Sequence, residues 1–366
     1  MEAIGIICEY NPFHNGHIYH IKKIKELYPD AIIILVLNGY FLERGEISYL
    51  SKEAKTQIAL EENIDIVLEL PTLYGTQSAD TFAKYALTIL NNFHISKLIF
   101  GSECNDIQLL LQIVNMQQNT QYQEEVKSYL NQGFNYPTAL AKATNISFSF
   151  SPNDLLGISY ISQIKQNNYP ITPITIKRTN SYHDTISNNT IISASNIRNK
   201  LKHKEDIKKY LPALSSKLLK EPNHQLYFYL LKTKILTDKH LNEYLDVDEG
   251  IEYRLQKYIK KANTLEEFLK LIKTKRYTYN RLNRMFIHIL LSIPKNYSQE
   301  LRYTKILGFN TKGQQYLKQI KTTIPTTPDI NSLEYKTELN ASIIYDILTH
   351  TNSYNYEKQK KPIIKH

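Results

Sequence analysis

A chain of 366 residues exceeds one typical core, so two domains are the first expectation. Hydrophobic residues at 42%, with 11% aromatics, exclude a disordered chain, and two cysteines exclude a disulfide framework or a thiolate-only metal site. The formal net charge of +10 is uneven: residues 1–200 hold 15 Lys+Arg against 18 Asp+Glu, and residues 201–366 hold 30 against 17, which points to a polyanionic partner for the second part.

The first half alternates apolar runs with amphipathic segments. AIGIICEY reads as a strand, and HIYHIKKIKEL as a helix whose Ile18, Ile21, Ile24 and Leu27 share a face, with Pro29 just beyond. AIIILVLNG is a second strand, SKEAKTQIALEEN a helix capped by Ser51, and IDIVLELP a third strand. SADTFAKYALTILNNF is a helix capped by Ser78, and KLIFGSE a fourth strand. Strands each followed by a helix mean βαβ units on a parallel sheet, where ligands bind at the carboxyl ends of the strands. Glu9 to His17, Gly39 to Glu46 and Gly101 to Glu103 follow strands and are the expected lining of a site.

Residues 107–150 read as further helices with a loop at NYPTA. SPNDLLGISYISQIKQNN reads as a loop entering a helix, ITPITIKR as a last strand and ISASNIRNKLK as a helix start. Beyond about residue 205 no strand is expected, only periodic Leu/Ile helices in a basic domain, and the tail YEKQKKPIIKH is expected to fray. The fold class is therefore α/β: a doubly wound, Rossmann-like parallel sheet over 1–200, then a mostly helical basic domain over 201–366. AIIILVL is too short to span a bilayer, no leader peptide is expected, and the protein reads as cytoplasmic with no membrane contact.

The stretch EYNPFHNGHIYH places His14, His17 and His20 at three-residue intervals, where the first strand enters the first helix. A helix N-terminus offers free N–H groups and a positive dipole end to an anion, and Gly16 lets phosphate oxygens approach the main chain. His14 and His17 flank that point as catalytic candidates, since imidazoles can donate to a phosphate whose charge grows during in-line displacement. Zinc held by the three histidines is an alternative, though no Cys or carboxylate nearby completes the set. Inert histidines are another.

HNGH after a first strand resembles the signature of the HxGH nucleotidyltransferase superfamily, which includes the class I aminoacyl-tRNA synthetases. The fuller string EYNPFHNGHIYHI, with GYFLERGE, ELPTLYGTQSADTFAKYA, FGSE, SPNDLLGISY and ISASNIR in that order, is similar to one family, the bacterial tRNA(Met) cytidine acetate ligases. The match is close over residues 1–200 and loose beyond.

The resemblance implies an enzyme that uses ATP to make acetyl-adenylate from acetate. It then acetylates N4 of the wobble cytidine of elongator tRNA(Met), giving N4-acetylcytidine, AMP and pyrophosphate. It implies ATP contacts from Ile7, Cys8, Glu9, Tyr10, Asn11, Pro12, Phe13, His14, Asn15, Gly16, His17, Ile18, Tyr19 and His20, and from Gly101, Asn153 and Arg178. Ser193, Ser195 and Arg198 stand where the superfamily holds the β- and γ-phosphates.

The residue types fit these roles: Gly101 leaves room for a base or ribose, and Asn153 offers donor and acceptor or else caps its helix. The two arginines form forked phosphate contacts or else surface ion pairs. Mg²⁺ is expected with ATP, no protein-held metal site is expected, and no protein partner is inferred.

Lys257, Lys260, Lys261, Lys273, Lys275 and Arg276 are the candidate tRNA contacts, with Lys257 and Lys260 spaced to share a helical face. The chain departs from the family string GNF-x-QRGEPA at Tyr40, Glu43 and Ile47, and carries Lys55 where an Arg is usual, which bears on acyl or tRNA selectivity. Two other readings stay open: an adenylyltransferase that makes a nucleotide cofactor, and a non-catalytic RNA-binding protein.

Overall fold

Uninterrupted apolar runs set the centre of the sheet in this computed structural model, which describes residues 1–134, 136–144, 151–178, 190–359 and 361–366. β1 (Ala3–Cys8) pairs in parallel with β2 (Ile32–Asn38), Ala3 opposite Ile32 and Cys8 opposite Leu37. β3 (Ile66–Leu70) continues beyond β2, while β4 (Lys97–Ser102) and β5 (Thr172–Lys177) continue beyond β1, all parallel. Every residue of β2 and β3 is buried, as strands covered on both faces require.

The connections are α1 (Asn15–Leu27), α2 (Lys52–Glu61), α3 (Thr72–Gly75), α4 (Ala79–Asn92), α5 (Ile107–Gln117), α6 (Thr120–Asn131), α7 (Tyr136–Thr144) and α8 (Pro152–Gln166). Ser51 and Ser78 cap α2 and α4 as their positions predict. Alternation along β2 divides the core. Ile33, Leu35 and Leu37 pack with Ile21 and Ile24 of α1 and Ile58 of α2, while Ile32, Ile34 and Val36 face Phe82, Ala86 and Leu90 of α4.

After β5 come α9 (Ala194–Lys202), α10 (Ala213–Leu218), α11 (His224–Thr237), α12 (Ile251–Ile259), α13 (Leu265–Ile272) and α14 (Tyr279–Leu291). The second core layer runs on through them, from Phe82 to Phe228, Phe268 and Phe286. The second half then differs from its expected all-helical character. β6 (Ile306–Asn310) pairs antiparallel with β3, and β7 (Ile363–Lys365) pairs parallel with β6, which completes the order β5-β4-β1-β2-β3-β6-β7 among the described residues. Between them lie α15 (Thr311–Leu317), α16 (Leu333–Thr349) and α17 (Ser353–Gln359). A five-residue apolar run cannot be told from a helix segment by period alone; the open edge of β3 decides it here. The tail expected to fray is thus held as an edge strand. The expected NYPTA loop is also revised, since residues 136–139 begin α7, with Pro137 in the first turn where its missing N–H costs nothing; Asn135 lies outside the described residues.

A buried charge network joins the two parts of the chain. Lys52 of α2 reaches Glu69 of β3, Glu338 of α16 at 2.5 Å and Glu357 of α17 at 2.6 Å. Lys305 sits 2.6 Å from Glu357, and Tyr40 donates to that carboxylate at 2.8 Å. Burial works to raise the Glu357 pKa, but Lys52 and Lys305 prevail and bring it down to about 2. The three carboxylates have the spacing of a metal site, and the Lys52 ammonium lies among them in the place of a cation.

Candidate active site

The carboxyl ends of β1, β4 and β5 open into a cavity of about 680 Å³. Its walls bring together Ile7, Cys8, Glu9, Tyr10, Asn11, His14, Gly16, His17, Tyr19 and His20 with Gly101, Asn153, Arg178, Ser193, Ser195 and Arg198. Four expected residues of the first loop are not in the wall: Pro12, Phe13, Asn15 and Ile18. Phe13 is fully buried under the loop, Ile18 packs against the α1 side of the core, and Asn15 donates to the carbonyls of Thr190 and Lys209 at 2.9 Å each. These residues shape the loop from behind.

The two histidines cap the helix reciprocally. His14 is the N-cap of α1; its Nδ1 accepts from the Gly16 N–H at 3.0 Å, and His17 Nδ1 accepts from the His14 N–H at 3.1 Å. A backbone N–H can only donate, so both rings must offer Nδ1 as acceptor and keep their proton on Nε2. Burial, then the charges of Arg178 and Arg198, bring the His14 pKa down to about 3. Burial, then His14, Arg178 and His20, hold His17 well below its ordinary range. Burial and Arg178 bring His20 down to about 4. At neutral pH the cavity therefore carries three neutral imidazoles, and on His14 and His17 the proton left on Nε2 is the donor. The engaged Nδ1 atoms of His14 and His17 also count against zinc, which would compete with backbone hydrogen bonds.

Each arginine is held by a glutamate. Arg198 donates to the Asn11 carbonyl at 2.8 Å and pairs with Glu46 at 2.8 Å, an oxygen that Asn11 also approaches at 3.3 Å. Arg178 Nε lies 3.2 Å from Glu103, whose carboxylate also receives Asn153 at 2.5 Å and Ser151 at 2.5 Å. Ser151 is the N-cap of α8, which leaves the Asn153 side chain free of capping. Ser193 caps α9, and its hydroxyl lies 3.1 Å from that of Ser195. A Cβ on Gly101 would meet Arg178 Cγ at 3.3 Å, so the glycine lets the arginine lie against the strand end.

The loop after β2 lines the cavity as its place at a strand's carboxyl end leads one to expect, and four further side chains join it from elsewhere in the fold. Glu43, Arg44 and Glu46 line the cavity, as do Phe82 of α4, Phe100 of β4, Tyr160 of α8 and Asn280 of α14. Their position after β2 is the signal for the first three; Asn280 has none, because only tertiary packing brings α14 to the rim. Gly45, at φ +71, turns the loop onto α14, where a Cβ would stand 2.3 Å from the Asn283 carbonyl carbon. Burial, then Glu9, raise the Glu43 pKa to about 7, against the pull of Arg284, 3.4 Å away, and of Arg44. Of the four departures from the family string, Glu43 is the one in the cavity wall. Tyr40 and Ile47 are buried in the core, and Lys55 donates to the carbonyls of Asn38 and Gly39 at 3.1 and 2.8 Å.

The chain matches the HIGH Nucleotidyl Transferase family over residues 1–363. It is 38% identical to the tRNA(Met) cytidine acetate ligase of Geobacillus sp. (strain WCH70), with 94% of each chain covered. The enzyme of that name from Bacillus subtilis (strain 168) is 35% identical over 95% of this chain and 92% of its own. The chain belongs to the tRNA(Met) cytidine acetate ligase family. Thermotoga maritima TmcAL bound with alpha-thio ATP superposes with a TM-score of 0.84, covering 100% of this chain and 99% of that one at 26% identity. Among the described residues, no helix of this acetate ligase family member is long and apolar enough to cross a membrane.

The six basic candidates all lie exposed on the second half of the chain. Lys257 stands in the last turn of α12, Lys260 follows as its C-cap and Lys261 lies just beyond, so the expected shared helical face ends with the helix. Lys273 is the C-cap of α13, and Lys275 and Arg276 lie between α13 and α14. Arg276 is paired with Glu249 at 2.6 Å.

Proposed function

We propose that this chain activates acetate with ATP and transfers the acetyl group to N4 of the wobble cytidine of elongator tRNA(Met). The observation that carries the reading is the reciprocal His14–His17 cap in the cavity wall. It presents two neutral Nε2–H donors at the positive end of α1 to one anion, in a chain whose relatives bear that enzyme's name.

The chemistry follows in two steps. An acetate oxygen attacks the α-phosphate and pyrophosphate leaves, giving acetyl-adenylate. The cytidine N4 then attacks the acetyl carbonyl, AMP leaves with the bonding electrons, and the amine gives up one proton. His14 and His17 would stabilise the charge on the α-phosphate oxygens as the first step proceeds. Arg198, Ser193 and Ser195 would receive the departing phosphates, with Arg198 exchanging Glu46 for phosphate oxygens. Gly101, Asn153 and Arg178 would hold the nucleoside.

Mg²⁺ fits this site as a companion of ATP, since it asks for only one or two carboxylates beside phosphate oxygens, and Glu46 lines the cavity. Bound there, it would neutralise charge on the phosphates. We assign residues 1–200 to catalysis and 201–366 to holding RNA. RNA affinity should then fall with salt at a log–log slope of about −0.7 to −0.9 per phosphate contact.

Exchange of labelled pyrophosphate into ATP tests the reading. It should require acetate and Mg²⁺ but not RNA, and the complete system should yield N4-acetylcytidine at the wobble position. Exchange driven by a nucleoside monophosphate, with acetate inert, would replace this reading with the cofactor adenylyltransferase.

A further inference from the structure

We infer that Tyr279 and Phe134 are stacking platforms for unpaired RNA bases beside the cavity mouth, each ring backed by a lysine. The inference rests on the tRNA reading above and gives it a place on the surface. Tyr279 opens α14, is 45% exposed and precedes Asn280, which lines the cavity. The Lys273 ammonium lies 5.4 Å from the Tyr279 ring centre. Phe134, 38% exposed, has the Lys142 ammonium 4.7 Å from its ring centre. The two sites are neighbours, because the Lys275 ammonium lies 3.9 Å from where a Cβ on Gly133 would stand.

This arrangement suits a single-stranded polyanion. A base lifted out of an RNA loop loses its stacking partners, and an exposed aromatic ring replaces them whatever the base. A cation beside the same ring can meet the phosphate that follows, and cation–π attraction keeps that cation in place. A duplex keeps its bases stacked inward and gains only the charge. The patch draws on both parts of the chain: Phe134 and Lys142 come from the first, which is acidic overall, and Lys273, Lys275 and Tyr279 from the second. Next to the rim, it would hold the neighbours of a cytidine turned into the cavity.

Fluorescence anisotropy tests this with two RNA probes at one salt concentration: an anticodon stem-loop with a wobble cytidine, and a fully paired duplex of equal length. Tyr279→Ala and Phe134→Ala should each weaken stem-loop binding roughly 5- to 150-fold, the range of one base stacked on an aromatic ring. Duplex binding and the salt slope should stay as in wild type, because no charge is removed. Tyr279→Phe and Phe134→Tyr, which keep a ring, should restore stem-loop affinity. Stem-loop binding unaffected by both alanine variants, or an equal loss for stem-loop and duplex, overturns the inference. If the wild-type protein performs acetate-dependent exchange while either result holds, the ligase reading stands and the stacking inference alone falls. Wild-type protein that neither exchanges nor binds the stem-loop overturns both.

Discussion

On the proposed reading, His17 serves two purposes that substitution can separate. Its Nδ1 accepts the His14 N–H at 3.1 Å, a helix cap, and its Nε2–H is left for the substrate. His17→Asn is short enough to keep an acceptor near the His14 amide but cannot reach as far as Nε2. His17→Gln can keep the cap, since a glutamine at this position reaches back to the N-cap N–H, and its amide group also offers a donor. Losing the cap costs about 0.5–2 kcal/mol of stability. Losing a donor aimed at developing charge costs about 2.7–4 kcal/mol of barrier, or roughly 10²–10³ in rate. His17→Asn should therefore unfold in urea near the wild-type midpoint yet lose roughly 10²–10³ in acetate-dependent pyrophosphate exchange at saturating ATP. His17→Gln should unfold near the wild-type midpoint and retain more of the rate than His17→Asn, and His17→Ala should lose both stability and rate. Burial, then His14 and Arg178, keep the ring neutral, so these losses should be the same on either side of neutrality. A His17→Asn enzyme with wild-type exchange at saturation and a raised KM for ATP would make the ring a ground-state binder and refute the reasoning.

Two further outcomes follow from the buried charges. Glu43 has a folded pKa of about 7, raised above the ordinary carboxylate value, so its ionisation costs stability progressively as pH rises from about 4.5 through about 7. Glu43→Gln should gain in urea midpoint relative to wild type between about pH 5 and about pH 8; a relative loss over that interval would show that the Arg284 pairing outweighs burial. Lys52→Met should lower stability by about 3–5 kcal/mol, because it leaves the carboxylates of Glu69, Glu338 and Glu357 buried together; a variant that melts within a degree or two of wild type would mean that these groups are protonated in the fold.

The parallel core and the histidine loop were legible in the sequence because both are local. The short β-branched run AIIILVL, bounded by Asp30 and the Asn38–Gly39 pair, and the serines at positions 51 and 78 determine a strand and two helix starts without reference to distant residues. HNGH between a strand and a helix carries its own geometry, since the cap that fixes both rings spans only His14 to His17. Tertiary structure decided what depends on partners hundreds of residues away. Ile306–Asn310 is a strand because β3 would otherwise present unpaired backbone groups at an open edge, and Ile363–Lys365 is held because β6 then presents its own. Lys52 could not be read as buried from a polar helix start, since three carboxylates from β3, α16 and α17 must first assemble around it. Asn280 reaches the cavity for the same reason. Gly45 lets the loop after β2 lie against α14, a contact between residues far apart in the chain, which local propensity does not encode.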